Sequence, residues 1–310
     1  MTLPIYFDSK ITSNLYGLSE SFQFLKTLYI KKKFPKVLML SGKKGCGKST
    51  LLNHLMFYIF DSNNYNETDN ELNLKSFFHK QFIDNIFPNI IYLSGTDFKN
   101  TKIEDIRNLK KKIFQTSIMN KPRFIIFDDV ELFNNNSLNA LLKIIEEPSK
   151  NNFFLLINNK SKPLLETIKS RCLDIKIILK EQSRLDIIEA LVKKFSIISK
   201  INPKTSKLTP GQYIKFNYIY EDKKISLEDD FLKNLGTLLN LYKKDKDITF
   251  IDMTFFLTDN YFNKLRLENS VPNVKIIEYK SFVFENINKF FLYNLNQNAL
   301  LNSINSKINE

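Results

Sequence analysis

The feature that most constrains this chain is a cluster of glycines in a protein that otherwise almost lacks them. Three of the seven glycines in 310 residues fall within residues 42–47. After the apolar run at 37–40 the sequence continues SGKKGCGKST, which satisfies the pattern G-x-x-x-x-G-K-[ST]. Glycine lets a backbone turn tightly and approach a ligand closely, because it has no side chain to prevent either. The spacing predicts a phosphate-binding loop.

Individual residues of this loop have distinct predicted roles. Lys48 is expected to reach the terminal phosphates and the Ser49 hydroxyl to bind magnesium. Apolar residues recur at helical spacing over 51–60, so a helix N-terminus would add its partial positive charge to the site. A glycine-rich turn with an incidental lysine is the alternative. The predicted binding residues are Gly42, Lys43, Lys44, Gly45, Cys46, Gly47, Lys48, Ser49 and Thr50.

Short apolar runs alternate with helical patterns over residues 1–178. The runs lie at 37–40, 90–93, 124–127, 153–157 and 173–178. The first four are apolar throughout, which is typical of parallel strands covered on both faces. The sequence therefore predicts an α/β fold, with a parallel sheet wrapped by helices.

The run at 124–127 ends in two carboxylates, Asp128 and Asp129. In a fold with a phosphate loop such a strand lies beside the loop, so Asp128 is predicted to hold a hydrated magnesium ion together with Ser49. Asp129 would lie where a base orients an attacking water. An acidic turn that caps the following helix is the alternative.

Composition limits the other classes of function. The net charge of +13 suits a polyanionic partner such as nucleic acid, although lysine-rich and asparagine-rich composition also arises from compositional bias. Cys46 and Cys172 are too distant in sequence for a disulfide framework, and the two histidines give no zinc cluster. With no leader and no apolar run of membrane-spanning length, we expect a cytoplasmic protein with no membrane contact.

Beyond the magnesium strand the sequence resembles a known family. Residues 139–148, NALLKIIEEP, followed by Ser170-Arg171-Cys172, are similar to the clamp-loader branch of the AAA+ ATPases, specifically the bacterial DNA polymerase III clamp loader. Residues 103–107 are also similar to that family. The resemblance covers roughly 15–178 and, beyond that, only the general layout. It implies an AAA+ P-loop nucleotide-binding domain at 1–178, a small helical lid domain at 179–220 and an all-helical collar domain at 221–310.

The resemblance also implies roles for two further residues. Asn158 would be a polar sensor near the γ-phosphate of ATP, with a turn-forming asparagine as the alternative. Arg171 would act in trans as an arginine finger in the ATP site of a neighbouring subunit, with a surface ion pair as the alternative. Only five of the 46 basic residues are arginines, which agrees with a task that needs a guanidinium. Cys172 is expected to pack as a small residue.

Two departures favour the delta-prime type of subunit over the motor type. Residues 60–90 contain no cysteine, whereas motor subunits insert a four-cysteine zinc module there, and Thr209-Pro210-Gly211-Gln212 stands where motor subunits carry a sensor arginine. Asp129 is one methylene shorter than the glutamate of active members, so weak or absent hydrolysis of bound ATP is expected. A gamma/tau-like motor that hydrolyses ATP in its own site is the alternative.

The implied partners follow from the same resemblance. They are the delta and gamma/tau subunits in a hetero-pentamer, the sliding clamp, and primer-template DNA bound without sequence preference. Lysines 110–112 and Arg107 would contact DNA phosphates. A solvated helix face is the alternative for these basic residues.

Overall fold

The computed structural model describes residue 4 and residues 7–95, 121–148, 151–268 and 272–309. Its centre is a five-stranded parallel sheet. The strands are β1 (Val37–Ser41), β4 (Ile90–Ser94), β5 (Arg123–Asp128), β6 (Asn152–Asn158) and β7 (Leu173–Lys176), in the order β4-β5-β6-β1-β7. A separate antiparallel pair is formed by β2 (Tyr65–Asn66) and β3 (Glu71–Leu72).

Strands β1, β5 and β6 are buried on both faces of the sheet, since successive side chains of a strand point to opposite sides and both sets are covered. The side chains of the edge strand β7 are mostly exposed. In β1, Leu38 and Leu40 belong to one hydrophobic core, and Val37 and Met39 belong to the other. Strands β5 and β6 divide their side chains between the same two cores. The predicted α/β fold, with a parallel sheet wrapped by helices, is confirmed.

Helices cover the two faces of the sheet. From α2 (Lys48–Phe60), Leu51, Leu52 and Leu55 pack into the first core, whereas Leu138 and Leu141 of α4 (Asn135–Glu146) pack into the second. Helix α4 begins where the Asn134 side chain accepts a hydrogen bond from the Ser137 N–H at 2.8 Å, which satisfies one of the unpaired donors of the first turn. The helices of this part are α1 (Ser19–Ile30), α2 (Lys48–Phe60), α3 (Phe77–Ile83), α4 (Asn135–Glu146), α5 (Glu166–Lys169) and α6 (Glu181–Phe195).

The carboxyl ends of the strands bring polar residues to one edge of the sheet. Ser41 ends β1 and is paired in register with Asn158, the last residue of β6. Ser94 ends β4 and is paired with Asp128, the last residue of β5. Ligands of open parallel sheets bind outside these carboxyl ends, so this edge is where a site is expected.

Residue contacts divide the chain into two compact units. One unit contains Pro4–Phe195 and Leu208–Ile214, and the other contains Ser196–Lys207 and Lys215–Glu310. The boundary therefore falls inside the segment 179–220. The division into three domains at 178 and 220 stays a prediction.

The second unit is helical. It contains α7 (Pro203–Ser206), the C-terminal part of α8 (Pro210–Asp222), α9 (Phe231–Asp245), α10 (Thr249–Leu267), α11 (Asn273–Tyr293) and α12 (Gln297–Ile308). Gln297 of α12 donates a hydrogen bond from Nε2 to the Gly236 carbonyl of α9 at 3.0 Å, where the two helices approach closely. Leu238, Val283 and Ile304 are fully buried within this unit, each with 0% of its surface exposed. Among the described residues, no helix has both the length and the apolar character of a membrane span.

Candidate nucleotide-binding site

The glycine-rich loop joins the end of β1 to the start of α2, as the sequence predicts. Gly45 and Gly47 have φ of +81° and +93°, in the left-handed region that favours glycine. Gly47 is the N-cap of α2, so Ser49 and Thr50 lie in the first helical turn. A Cβ at Gly42 would lie 2.4 Å from the Ile177 carbonyl oxygen, which leaves room only for glycine. This geometry directs backbone N–H groups and the positive end of the helix to one place, and such a concave group of donors binds anions.

Lys48 lies inside this loop, with 3% of its surface exposed. Its ammonium group donates hydrogen bonds to the carbonyl oxygens of Gly42 and Lys43, each at 2.8 Å, and Nζ is 3.6 Å from the Cys46 Sγ. Burial lowers the pKa of Lys48, because it removes water from the charged form, while the Cys46 and Asp128 groups oppose this shift. The phosphate-binding role of Lys48 stays a prediction.

Asp128 and Ser49 meet at the edge of the sheet. The Ser49 hydroxyl donates a hydrogen bond to Oδ2 of Asp128 at 3.1 Å, although the two residues are 79 positions apart. Oδ1 of Asp128 accepts from the Asp129 N–H at 2.9 Å. Burial raises the pKa of Asp128, and hydrogen bonds from Tyr92, the Asp129 N–H and Ser49 oppose that rise. A hydroxyl and a carboxylate at this separation are the hard oxygen ligands that Mg²⁺ prefers, so the residues fit a magnesium ion.

Tyr92 is part of this arrangement and was not predicted from the sequence. Its hydroxyl donates to Oδ2 of Asp128, the oxygen that also accepts from Ser49. Burial and the nearby Asp128 carboxylate raise the pKa of Tyr92, so the phenol keeps its proton. A tyrosine inside the otherwise apolar run at 90–93 is the only sequence signal, and that signal does not name its partner.

Asp129 is held in place by its own contacts. It has φ of +51°, and its Oδ1 accepts a hydrogen bond from the Asn159 side-chain amide at 2.6 Å. A Cβ at Gly95 would lie 2.1 Å from the Asp129 carbonyl oxygen, so the backbone is closely packed on that side as well. The Asp129 side chain forms no capping hydrogen bond with the short helix that follows it, so it does not cap that helix as the alternative predicts. The catalytic role of Asp129 stays a prediction.

Asn158 lies beside the phosphate loop, where a sensor would be expected. Its carbonyl oxygen accepts from the Gly42 N–H at 3.1 Å, and only 4% of the residue is exposed. Its side-chain oxygen accepts from the Lys160 N–H at 2.9 Å, which is the contact of a turn-forming asparagine. The position agrees with the sensor interpretation and the hydrogen bond with the alternative, so the sensor role stays a prediction.

Glu131 anchors the segment that follows Asn158, a role that no sequence pattern predicts. One carboxylate oxygen, Oε1, accepts three hydrogen bonds: from the Asn159 N–H at 3.1 Å, the Ser161 N–H at 3.2 Å and the Ser161 hydroxyl at 2.7 Å. The residue is buried, with 4% of its surface exposed. Glu131 therefore fixes the loop after β6 to the segment after β5.

Residues 209–211 contact the backbone of the phosphate loop. The Thr209 hydroxyl donates to the Lys44 carbonyl at 2.7 Å, and the Gly211 N–H donates to the Gly45 carbonyl at 2.9 Å. A Cβ at Gly211 would lie 2.9 Å from the Gly45 Cα, and a Cβ at Gly45 would lie 2.5 Å from the Thr209 hydroxyl. The two glycines are in mutual contact, so each restricts the other to a residue without a side chain.

Arg171 follows α5, with 39% of its side chain exposed. Its Nη2 forms an ion pair with Oε1 of Glu146 at 2.8 Å, and Nη1 donates to the Thr167 carbonyl at 2.8 Å. The predicted alternative, a surface ion pair, is thus present in this chain, and the role in trans stays a prediction. The neighbouring Cys172 packs against the second core and donates to the Ile168 carbonyl at 3.0 Å. Burial raises the pKa of this thiol to about 12.

The basic residues predicted to contact DNA, Arg107 and lysines 110–112, lie outside the described residues. The same is true of the family-like residues 103–107. Within the described ranges, no group of histidine, cysteine, aspartate and glutamate side chains has the arrangement of a metal cluster.

Comparisons with known proteins agree with the resemblance. Residues 17–181 match the model of the family described as DNA polymerase III, delta subunit. DNA polymerase III subunit delta' of Buchnera aphidicola subsp. Acyrthosiphon pisum is 28% identical over 200 residues, which cover 59% of this chain and 60% of that protein. DNA polymerase III subunit gamma of Buchnera aphidicola subsp. Schizaphis graminum is 34% identical over 95 residues, 30% of this chain and 26% of that protein.

Among solved structures, a DNA polymerase III gamma subunit-related protein from Thermotoga maritima gives a TM-score of 0.47 at 16% identity. The match covers 90% of this chain and 96% of that one. The chain spans less than two thirds of the length of the two curated relatives, at 60% and 26%. Subunits of both the delta' and the gamma type match, so these similarities do not separate the two.

Proposed function

This chain belongs to the DNA polymerase III delta-subunit family of clamp-loader AAA+ proteins, and from that membership we propose that it is a clamp-loader subunit that binds ATP and Mg²⁺. Among the two types of subunit, we propose the delta-prime type. In this role it joins delta and gamma/tau subunits in a cytoplasmic hetero-pentamer that places the sliding clamp on primer-template DNA. Contacts to that DNA would involve phosphates and carry no sequence preference.

The observation that carries the proposal is the arrangement of the loop and the two magnesium residues. Lys48 lies buried within the loop, and Ser49 lies 3.1 Å from Asp128 across the sheet edge. The loop N–H groups and Lys48 would bind the phosphates, while Ser49 and Asp128 would hold the metal. A bound Mg²⁺ neutralises phosphate charge and orients the terminal phosphates.

The same geometry supports binding without efficient turnover. Asp129 is shorter than the glutamate of active members, and its Oδ1 is already hydrogen-bonded to Asn159 at 2.6 Å. A base must reach the water that it orients, and a displacement of about 1 Å costs on the order of a hundredfold in rate. The gamma/tau-like motor that hydrolyses ATP in its own site remains the second candidate, because subunits of that type also match this chain.

Arg171 is proposed to complete the ATP site of a neighbouring subunit. Its guanidinium lies at the surface and is bound by Glu146 through an exposed ion pair. Exposed pairs of this kind contribute about 0–1 kcal/mol, so the guanidinium can exchange Glu146 for the phosphates of a neighbour at little cost. A guanidinium acting in trans stabilises charge on a transferred phosphoryl group.

A binding and turnover assay tests the nucleotide site. We expect the purified chain to bind ATP with Mg²⁺, to lose that binding in Lys48→Ala, and to hydrolyse ATP far below about one turnover per second, the lower end of the ordinary enzyme range. DNA-stimulated turnover at or above that rate would select the motor candidate. Failure of the chain to bind any adenosine nucleotide would contradict both candidates.

A reconstituted complex tests Arg171. Arg171→Ala is expected to assemble with delta and gamma/tau subunits and to lower the ATPase rate of the complex about a thousandfold at the completed site. Arg266→Ala is the matched control, since Arg266 is an exposed arginine on α10. Equal ATPase and clamp-loading rates for both variants and the unmodified complex would remove the role assigned to Arg171.

A further inference from the structure

Both oxygens of the Asp128 carboxylate accept hydrogen bonds. Oδ1 accepts the Asp129 N–H at 2.9 Å. Oδ2 accepts both the Ser49 hydroxyl, at 3.1 Å, and the Tyr92 hydroxyl. Tyr92 stands on β4, the strand next to β5, so its phenol approaches Asp128 across the sheet rather than along the chain.

Tyr92 is itself fixed from several directions. Its ring packs against the first hydrophobic core. The Lys10 ammonium lies 4.6 Å from the centroid of the ring and also donates to the Asn85 side-chain oxygen at 2.7 Å. A cation over the face of a tyrosine is attracted by the ring electrons, and the second contact of Lys10 keeps it there. The phenol therefore has little freedom to leave Oδ2.

A carboxylate that binds a metal gains affinity from being held in one rotation, because binding then costs less side-chain entropy. A serine hydroxyl that uses a lone pair for a metal ion still has its proton to donate to a carboxylate. The Tyr92 hydrogen bond likewise uses only one of the lone pairs of Oδ2, which leaves acceptor capacity on that oxygen. Residues that hold metal ligands in this way commonly affect metal affinity by 10- to 100-fold.

We propose that Tyr92 is a positioning residue for the magnesium carboxylate, which it holds toward Ser49 so that the Mg²⁺ affinity of the nucleotide-bound chain depends on its hydroxyl. The inference rests on the proposed function, since it assigns a residue to the magnesium site of the nucleotide pocket. It predicts an effect on the metal and none on the affinity for nucleotide alone.

The test is a magnesium titration of the full chain with a fluorescent N-methylanthraniloyl derivative of ADP. Tyr92→Phe keeps the ring and removes only the hydroxyl. We expect the half-saturating Mg²⁺ concentration to rise about 10-fold, the lower end of the effect of residues that orient metal ligands. With EDTA in place of Mg²⁺, nucleotide affinity should stay within about twofold of the unmodified chain. Tyr29→Phe, a tyrosine whose ring packs on Phe34 and Phe124, is the matched control and should change neither value.

The outcomes separate the inference from the function on which it rests. If Tyr92→Phe binds nucleotide and its half-saturating Mg²⁺ concentration is unchanged or lower, the positioning role is wrong and the proposed function stands. If the unmodified chain binds no nucleotide, the proposed function and this inference both fall. Equal losses with EDTA and with Mg²⁺ would also overturn the inference, because they would indicate a general disturbance of the pocket.

Discussion

At the scale of single residues, the few arginines of this chain illustrate how one side chain is used in two ways. Arg184 is buried, with both guanidinium edges occupied: Glu181 accepts from Nε at 3.0 Å and from Nη2 at 2.6 Å, and the Leu208 carbonyl accepts from Nη1 at 2.8 Å. Arg171 lies at the surface and pairs with Glu146. A planar fork of donors is needed in the first case to satisfy several acceptors at once, which a lysine cannot do.

His54 provides a prediction at the same scale. It is fully buried on α2, with Nδ1 3.2 Å from the Tyr65 hydroxyl, and burial lowers its pKa from 6.5 to about 4. The unfolded chain therefore binds a proton at a higher pH than the folded chain does. Stability from neutral His54 is fully present above pH 6.5 and is lost as pH falls from 6.5 toward 4.

We expect this residue to cost the chain about 2 kcal/mol of unfolding free energy between pH 7.5 and pH 5. Urea unfolding of the unmodified chain and of His54→Gln at the two pH values measures the difference. The variant should lose less stability than the unmodified chain on acidification, whatever its stability at pH 7.5. Equal losses in the two proteins would show that His54 does not titrate in this way.

At the scale of elements, the conformation of the phosphate loop depends on its own glycines and on contacts with the start of α8. Its own glycines set the turn, with φ of +81° at Gly45 and +93° at Gly47. The start of α8 adds the Thr209 and Gly211 hydrogen bonds to the Lys44 and Gly45 carbonyls. These two hydrogen bonds restrain the backbone of the loop at Lys44 and Gly45.

The contact between Gly45 and Gly211 predicts the effect of a single methyl group. In Gly211→Ala the new Cβ would meet the Gly45 Cα at 2.9 Å and its carbonyl oxygen at 3.0 Å, both of them backbone atoms that cannot turn aside. Overpacking of this kind costs about 1–3 kcal/mol. We expect lower stability in thermal unfolding and a nucleotide affinity about fivefold lower, since about 1 kcal/mol of that strain would fall on the loop.

Gly236→Ala is the matched control for this prediction. There the new Cβ would meet the end of the flexible Leu301 side chain at 3.2 Å, within helix α9. Alanine is favoured over glycine inside a helix by about 1 kcal/mol, which offsets the contact. If the two alanine variants bound nucleotide equally well, the close approach of residue 211 to the loop would have no effect on nucleotide affinity.

At the scale of the whole molecule, the chain passes between its two units more than once. Residues 208–214 belong with the unit that contains the glycine-rich loop, although 196–207 and 215–310 belong with the helical one. Tyr213 and Ile214 are buried, with 0% and 3% of their surfaces exposed. A short segment from the second half of the sequence, residues 208–214, therefore packs with the unit that contains residues 4–195.

Hydrogen exchange on the full chain tests this assignment. Adding ADP with Mg²⁺ should slow amide exchange in peptides covering 208–214 by about threefold or more, because the Gly211 N–H is bonded to the loop at Gly45. Peptides covering 196–207 serve as the internal control and should not respond. Equal protection of both segments, or of neither, would contradict the assignment of 208–214 to the unit that contains the glycine-rich loop.

Features that depend on a few neighbouring residues can be predicted from the amino-acid sequence of this chain. The loop at 42–50, the apolar strands and the Asp128 carboxylate at a strand end were all recognised from contiguous residues, because each depends on a short pattern with a known spacing. The structure places Ser49 and Asp128 together, as that pattern predicts. Apolar residues recur at helical spacing in the C-terminal region, so its helical character can be predicted in the same way.

The distant groups that contact the site residues become apparent only in the folded chain. Tyr92 reaches Asp128 from 36 residues away, Glu131 holds Ser161 from 30, and Thr209 reaches Lys44 from 165. Such pairs depend on the order of strands in the sheet and on where a later segment packs, which no local spacing encodes. The residues of a site that lie in one loop can be predicted from their spacing in the sequence. Contacts between residues on different strands can be identified only when the order of strands in the sheet is known.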